Sequence, residues 1–237
     1  MKSAGDTPAD GVAAALADGK KHLLLAASGS VATIKIPSIV KALSEAHAPS
    51  TLSIRIVLTN SATHFLAGQA DEQPHLTTLI SLPCVDGVYV DADEWTSPGW
   101  TRGGSILHIE LRRWADILVV APISANLLAK ITNGMCDDLL TCIIRAWDVK
   151  GKSQNLVNGQ GSILVAPAMN TMMWEHPLTA RQLGILRDEW SWFEVLVPQS
   201  KALACGDVGQ GAMMEWGEIV KIIEERLGLA RTLDEAA

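Results

Sequence analysis

The apolar positions of this chain fall into short, nearly unbroken runs, each followed by a small polar cluster and then by helical spacing. HLLLAA (22–27), SIRIVL (53–58), GVYV (87–90), DILVVA (116–121), ILVAP (163–167) and FEVLV (193–197) read as strands. Runs so uniformly apolar belong to strands covered on both faces, not to a sheet with one wet side. Helical spacing follows over 31–45, around Phe65, and over 107–115, 127–132, 137–147, 177–188 and 215–227. Pro37 must begin or kink the first of these helices. Strand and helix alternate throughout. The pattern therefore predicts an α/β protein, a single-domain doubly wound parallel sheet (Rossmann-like, flavodoxin-like) with helices on both faces. The domain is expected over 20–230, between a mobile, Ala-, Gly-, Asp- and Pro-rich tail (1–19) and a short C-terminal tail (231–237). The stretch 69–104 is hardest to read. Within it DADEWTSPGW looks like an exposed, Pro-bent loop, and farther on 150–161 looks like a polar surface excursion.

The polar clusters matter because open α/β sheets bind ligands outside the carboxyl ends of their strands. After the first strand, Gly29 in Ser28-Gly29-Ser30 lets backbone approach a ligand, and the helix beyond offers N–H groups to a phosphate. Neither G-x-G-x-x-G nor G-K-[ST] is present, so no dinucleotide fingerprint or P-loop is indicated. Thr59-Asn60-Ser61 either caps the next helix or binds phosphate or ring carbonyls. Pro122 to Asn126 forms a third strand-to-helix turn, and ILVAPAMNTMMW (163–174) a fourth, in which Asn170 either caps a helix or offers its amide to a ligand. His108 stands at a helix start near Glu110, Arg112 and Arg113. An imidazole titrates near neutrality and suits a general base, though a lone histidine is as ordinary in a core. Arg113 is an anion partner or a solvated helix charge. Cys205, in the Gly-rich ACGDVGQGAM (204–213), suits a lid that carries a thiol better than it suits core packing.

Composition narrows the classes. A chain of 237 residues with 48% hydrophobic residues and mean hydropathy +0.20 suits a domain that buries surface against copies of itself. Net charge −7 argues against nucleic acid and an anionic membrane as partners. A bound phosphate must then be held by local amides. Without an apolar signal core or a run of membrane length, the expected location is cytoplasmic. Cys84, Cys136, Cys142 and Cys205 form no C-x-x-C pair, so neither a disulfide scaffold nor a metal site is indicated.

PAMNTMMW (167–174), LHIELRRWAD (107–116) and ACGDVGQGAM resemble the signatures of the homo-oligomeric flavin-containing cysteine decarboxylases. The last two resemble the branch acting on 4′-phosphopantothenoylcysteine in coenzyme A biosynthesis, and the likeness runs over about 22–216. Loss of carbon dioxide from a cysteine carboxylate leaves electrons that no side chain can accept, so a cofactor is needed. The resemblance implies FMN. It implies as cofactor contacts Gly29, Ser30, Val31, Thr59, Ser61, Phe65 and the turn Ser124, Ala125, Asn126 and Leu127, where leucine replaces the usual threonine. It makes His108 the base, Asn170 the partner of the substrate carboxylate, Cys205 a late proton donor, and Arg113 and Ala204 substrate contacts. The implied course oxidises the substrate thiol to a thioaldehyde, releases carbon dioxide and reduces the ene-thiolate to 4′-phosphopantetheine. A homotrimer with sites between neighbours is implied too. Three alternatives remain: a peptidyl-cysteine decarboxylase, a flavin prenyltransferase of the same fold, and a phosphatase-inhibiting salt-tolerance relative. The first lacks ACGDVGQGAM, and the third carries a long acidic tail unlike ARTLDEAA (230–237).

Overall fold

Six strands build one parallel sheet: β1 (Lys21–Ala27), β2 (Leu52–Leu58), β3 (Val85–Val90), β4 (Ile117–Ile123), β5 (Ile163–Pro167) and β6 (Phe193–Val195). Their order is β3-β2-β1-β4-β5-β6. The chain runs outward from β1 in one direction, then returns to β1's other side at β4, so the order reverses between β1 and β4. The computed structural model describes residues 7–95, 100–150, 162–202 and 208–229. The 151–161 excursion, the tail beyond 229 and residues 1–6 lie outside the described residues.

Alternation along each strand sorts the apolar side chains into two cores. Leu23, Leu25 and Ala27 enter one, with α2 (Ile36–Ala46) and α10 (Trp216–Leu227) over it. Leu24 and Ala26 enter the other, under α1 (Pro8–Ala14), α5 (Leu107–Trp114), α6 (Ala125–Thr132), α7 (Leu139–Arg145) and α9 (Pro177–Gly184). Both faces are thus covered, and the strands can be apolar at every position. Shorter helices are α3 (Asn60–Thr63), α4 (Leu76–Leu79) and α8 (Thr171–Glu175).

Several expectations are corrected. Residues 8–14 of the supposed tail form α1. Thr7 and Asp10 close a reciprocal capping box, Pro8 supplies the preset first turn, and Val12 is fully buried in the core beside α5. Low complexity concealed a helix that needs the rest of the protein to bury its apolar side. Pro37 begins α2, after a 3₁₀ stretch over Val31–Lys35. β4 continues through Pro122 to Ile123, with its register against β5 shifting there. The slip accommodates a residue without an N–H and puts Ile123 on the same face as Leu118 and Val120. The Gly-rich segment after Cys205 is a strand, not only a loop: β7 (Gln199–Ala202) and β8 (Val208–Ala212) form an antiparallel hairpin.

Val12→Ala removes two methyl groups from a closed core. The holoprotein should lose about 2 kcal/mol, a fall of about 4–8 °C in thermal midpoint. An unchanged melting curve would mean that α1 is not docked.

Candidate active site

Four strand ends meet in a single polar lip, and one hydroxyl laces its middle. Ser28, 2% exposed at the end of β1, donates its N–H and its Oγ–H to the Pro122 carbonyl, each at 3.0 Å, while its Oγ accepts the Ser124 N–H at 2.7 Å. The Ala27 carbonyl accepts the Thr59 N–H at 3.1 Å, bringing in β2, and the Ile123 carbonyl accepts the Ala168 N–H at 3.1 Å, bringing in β5. The turns after β1, β2, β4 and β5 are therefore held as one rim at the carboxyl edge, across the point where strand order reverses.

Gly29 lies directly against Ser61. A Cβ at position 29 would stand 2.6 Å from the Ser61 Oγ, so only glycine permits this approach. Thr59 Oγ1 is 3.1 Å from Ser61 Oγ and also accepts the Ala62 N–H at 3.3 Å. Capping thus occupies Thr59, whereas Ser61 and Asn126 are exposed and Ser30, Ala125 and Phe65 are half-buried. Val31 is an exposed apolar residue on the same rim. Leu127 is different. Its side chain is buried in the core, and its N–H is committed to Ser124 Oγ at 3.3 Å. The first-turn N–H groups of these turns have no partner within their own helices. Hydroxyls, amide N–H groups and one carboxamide make a neutral donor set, chemically suited to a phosphate monoester and the carbonyls of an isoalloxazine.

Met169 and Asn170 continue the rim from β5. Asn170 Oδ1 accepts the Met173 N–H at 2.9 Å and caps α8. That bond orients the carboxamide and leaves its NH2 group without a protein partner among the described residues, so capping and ligand binding are compatible. The hairpin lies on this loop. Gly211, at φ +115°, accepts the Met169 N–H at 3.0 Å, and a Cβ there would stand 2.6 Å from the Met169 carbonyl oxygen. Backbone contact of this kind explains the last glycine of ACGDVGQGAM, Gly211. Ala204 and Cys205 themselves lie outside the described residues.

His108 is the second residue of α5. That helix ends at the opposite edge of the sheet, where Asp116 bonds both ways with the His22 backbone. Its eight residues carry His108 about 10 Å back toward the carboxyl edge. The imidazole Nδ1 is 2.8 Å from Glu94 Oε1; the Glu94 side chain is 4% exposed and the imidazole 20%. No hydrogen bond joins His108 to the other candidate residues among the described ones. Arg113 is half exposed and paired with Glu110 at 3.0 Å; five residues on, it projects roughly 140° around the helix from His108. One chain does not bring these two together. Sequence reasoning missed Glu94, which looked like part of an exposed acidic loop, and the lacing role of Ser28. Trp95 and Trp100 in that region are exposed as expected.

The flavoprotein family model matches residues 13–228. A phosphopantothenoylcysteine decarboxylase of Arabidopsis thaliana is 47% identical over 83% of this chain and 80% of its own length. A solved PPC decarboxylase variant complexed with pantothenoylaminoethenethiol is 44% identical, with TM-score 0.70, covering 87% of this chain and 97% of that one. The FMN binding protein AtHal3, also 44% identical, covers 87% and 96%, with TM-score 0.67. The chain spans only 35% and 37% of the length of two fungal relatives. With a doubly wound sheet, a laced carboxyl-edge rim and this degree of identity, the chain belongs to the flavoprotein family, in its phosphopantothenoylcysteine decarboxylase branch.

Proposed function

We propose that this chain decarboxylates 4′-phosphopantothenoylcysteine to 4′-phosphopantetheine, a step of coenzyme A biosynthesis, with FMN as cofactor. The observation that carries this reading is the rim itself: a neutral donor set at the strand-order reversal, bordered by an Asn170 whose NH2 group is unspent. When bound, FMN supplies a two-electron acceptor and donor that ends the cycle in the oxidation state in which it began.

The protein's own contributions are positional and acid–base. Gly29, Ser30 and Val31 present backbone N–H groups to the cofactor, while Ser61 and Asn126 present side-chain donors. Thr59 and Ser124 brace the turns as caps, and Phe65 and Ala125 provide apolar contact. Leu127 contributes packing beneath the cofactor, since both groups it offers are spent inside the protein. Asn170 donates to the substrate carboxylate and holds it for departure as carbon dioxide. His108 takes a proton early, and Cys205 returns one late, from the segment spanning β7 and β8. Arg113 and Ala204 complete substrate contacts, Arg113 toward an anionic group. Assembly into a homotrimer with shared sites fits the exposed Met172, Met173 and Leu178 beside Asn170. It would also let residues that one chain keeps apart meet across a boundary. A cytoplasmic location belongs to the same reading; no helix among the described residues is long and apolar enough to cross a membrane.

The direct test is to purify the protein, record its visible spectrum, add 4′-phosphopantothenoylcysteine and measure carbon dioxide and 4′-phosphopantetheine by mass. A colourless protein that FMN cannot reconstitute would overturn the proposal. Three variants separate the parts. Gly29→Ala drives a methyl group into Ser61, so bound FMN should fall at least about tenfold while the fold survives. His108→Asn should leave yellow protein and reduce turnover by about 100-fold or more. Cys205→Ser should release carbon dioxide but accumulate the oxidised, decarboxylated product; normal product at the wild-type rate would remove Cys205 from the mechanism.

A further inference from the structure

We propose that Glu94 is the positioning residue of the His108 base, holding its ring so that Nε2 faces the substrate with its lone pair free. This deepens the decarboxylase reading and rests on it for the role of His108. The DADE turn delivers the carboxylate. Asp93 Oδ2 accepts the Val90 N–H at 2.7 Å within the turn, and Asp91 Oδ1 accepts the Leu139 N–H at 2.8 Å at the start of α7. Those two bonds fasten the turn to its surroundings and send Glu94 inward, beneath the first turn of α5.

Three observations separate this pair from ordinary surface electrostatics. First, the contact is short and the acid is inside: 2.8 Å from Nδ1 to Oε1, with the carboxylate 4% exposed. Second, an ionised carboxylate only accepts, so Nδ1 carries the hydrogen and Nε2 the lone pair. Nε2 makes no hydrogen bond to protein among the described residues. Third, Glu94 Oε2 is buried and has no hydrogen-bond partner among the described residues. A carboxylate serving only the fold would be expected to satisfy both oxygens, since buried polar groups left unpaired are costly and rare. An unshared oxygen keeps the negative charge undivided, available to balance an imidazolium when Nε2 takes its proton.

The groups around Glu94 do not compete for it. Cys142 lies close enough to feel its charge, and its thiol is pushed up to about 11, by burial first and then by Cys136 and Glu94. It stays a neutral thiol near pH 7. Asp138 is committed to the Thr141 N–H and to Lys130. Among the described residues His108 is the one basic side chain within ion-pair distance of Glu94. A histidine placed over an isolated, desolvated carboxylate is an arrangement for proton transfer.

The test uses the FMN-loaded protein with ¹⁵N-labelled histidine. Wild type should show His108 as the Nδ1–H tautomer. Glu94→Gln should give a mixed or reversed tautomer and lower kcat by about 100-fold or more, with KM and FMN content within about twofold. Glu94→Asp keeps the charge on a shorter arm and should recover at least about tenfold over the glutamine variant. The proposal fails if Glu94→Gln keeps wild-type kcat. It fails equally if kcat falls only in step with lost FMN or lowered thermal midpoint while the tautomer is unchanged. Should Glu94→Gln not fold, the wild-type spectrum still decides, because an Nε2–H tautomer there excludes the pairing. Absence of turnover in wild type would count against the decarboxylase reading alone, leaving the tautomer measurement to judge the pair.

Discussion

A sheet buried on both faces leaves little room for polar groups except at the ends of its strands, and the polar rim of the candidate site follows from that restriction. Each interior strand is apolar at nearly every position because helices lie above and below it. Backbone groups at the strand termini still need partners. Ser28 meets that need for two strands at once, using its N–H, its hydroxyl hydrogen and its oxygen between β1 and β4. The same bonds that close the backbone account also place the loops, so the polar rim is a consequence of how the sheet terminates.

The helix bearing His108 is fixed by a different device. Arg55 is 5% exposed on β2, with its guanidinium 4.9 Å from the centre of the Trp114 ring. Among the described residues no carboxylate pairs with it. It donates instead to the Tyr89 hydroxyl and, at 3.5 Å, to the Gly11 carbonyl of α1. Burial pushes the Tyr89 hydroxyl up, so it remains an uncharged acceptor. His22 stacks on the Trp114 ring, with centroids 4.5 Å apart, and bonds to the Trp114 carbonyl at 2.9 Å. The far end of α5 is thereby clamped by α1, β1, β2 and β3 together, while at its near end His108 is paired with Glu94. Packing is concentrated at the Trp114 end of the helix, and the His108–Glu94 pair lies at the other.

Local pattern revealed whatever depends on neighbours in sequence. The strands were readable because their residues are apolar regardless of which helix covers them, and the turns because a polar cluster directly follows each run. Gly29, Ser61 and Asn170 stood out on those grounds. Pro122 within β4 and the strand character of Val208–Ala212 did not, because one rests on a register shift and the other on backbone packing against Met169.

The sequence by itself determined the layered architecture, the six strand runs and the rim of polar turns, since each is written in contiguous residues. Only the tertiary structure decided that Glu94 belongs beneath His108, that Pro8–Ala14 is a docked helix, and that the Gly211 backbone rests on the Met169 loop. The reason is physical: whether a charged or weakly apolar segment is buried depends on a partner supplied from elsewhere in the fold. Glutamate beside tryptophan in a Pro-bent stretch has the composition of a solvated loop until a histidine fourteen residues away is brought to 2.8 Å.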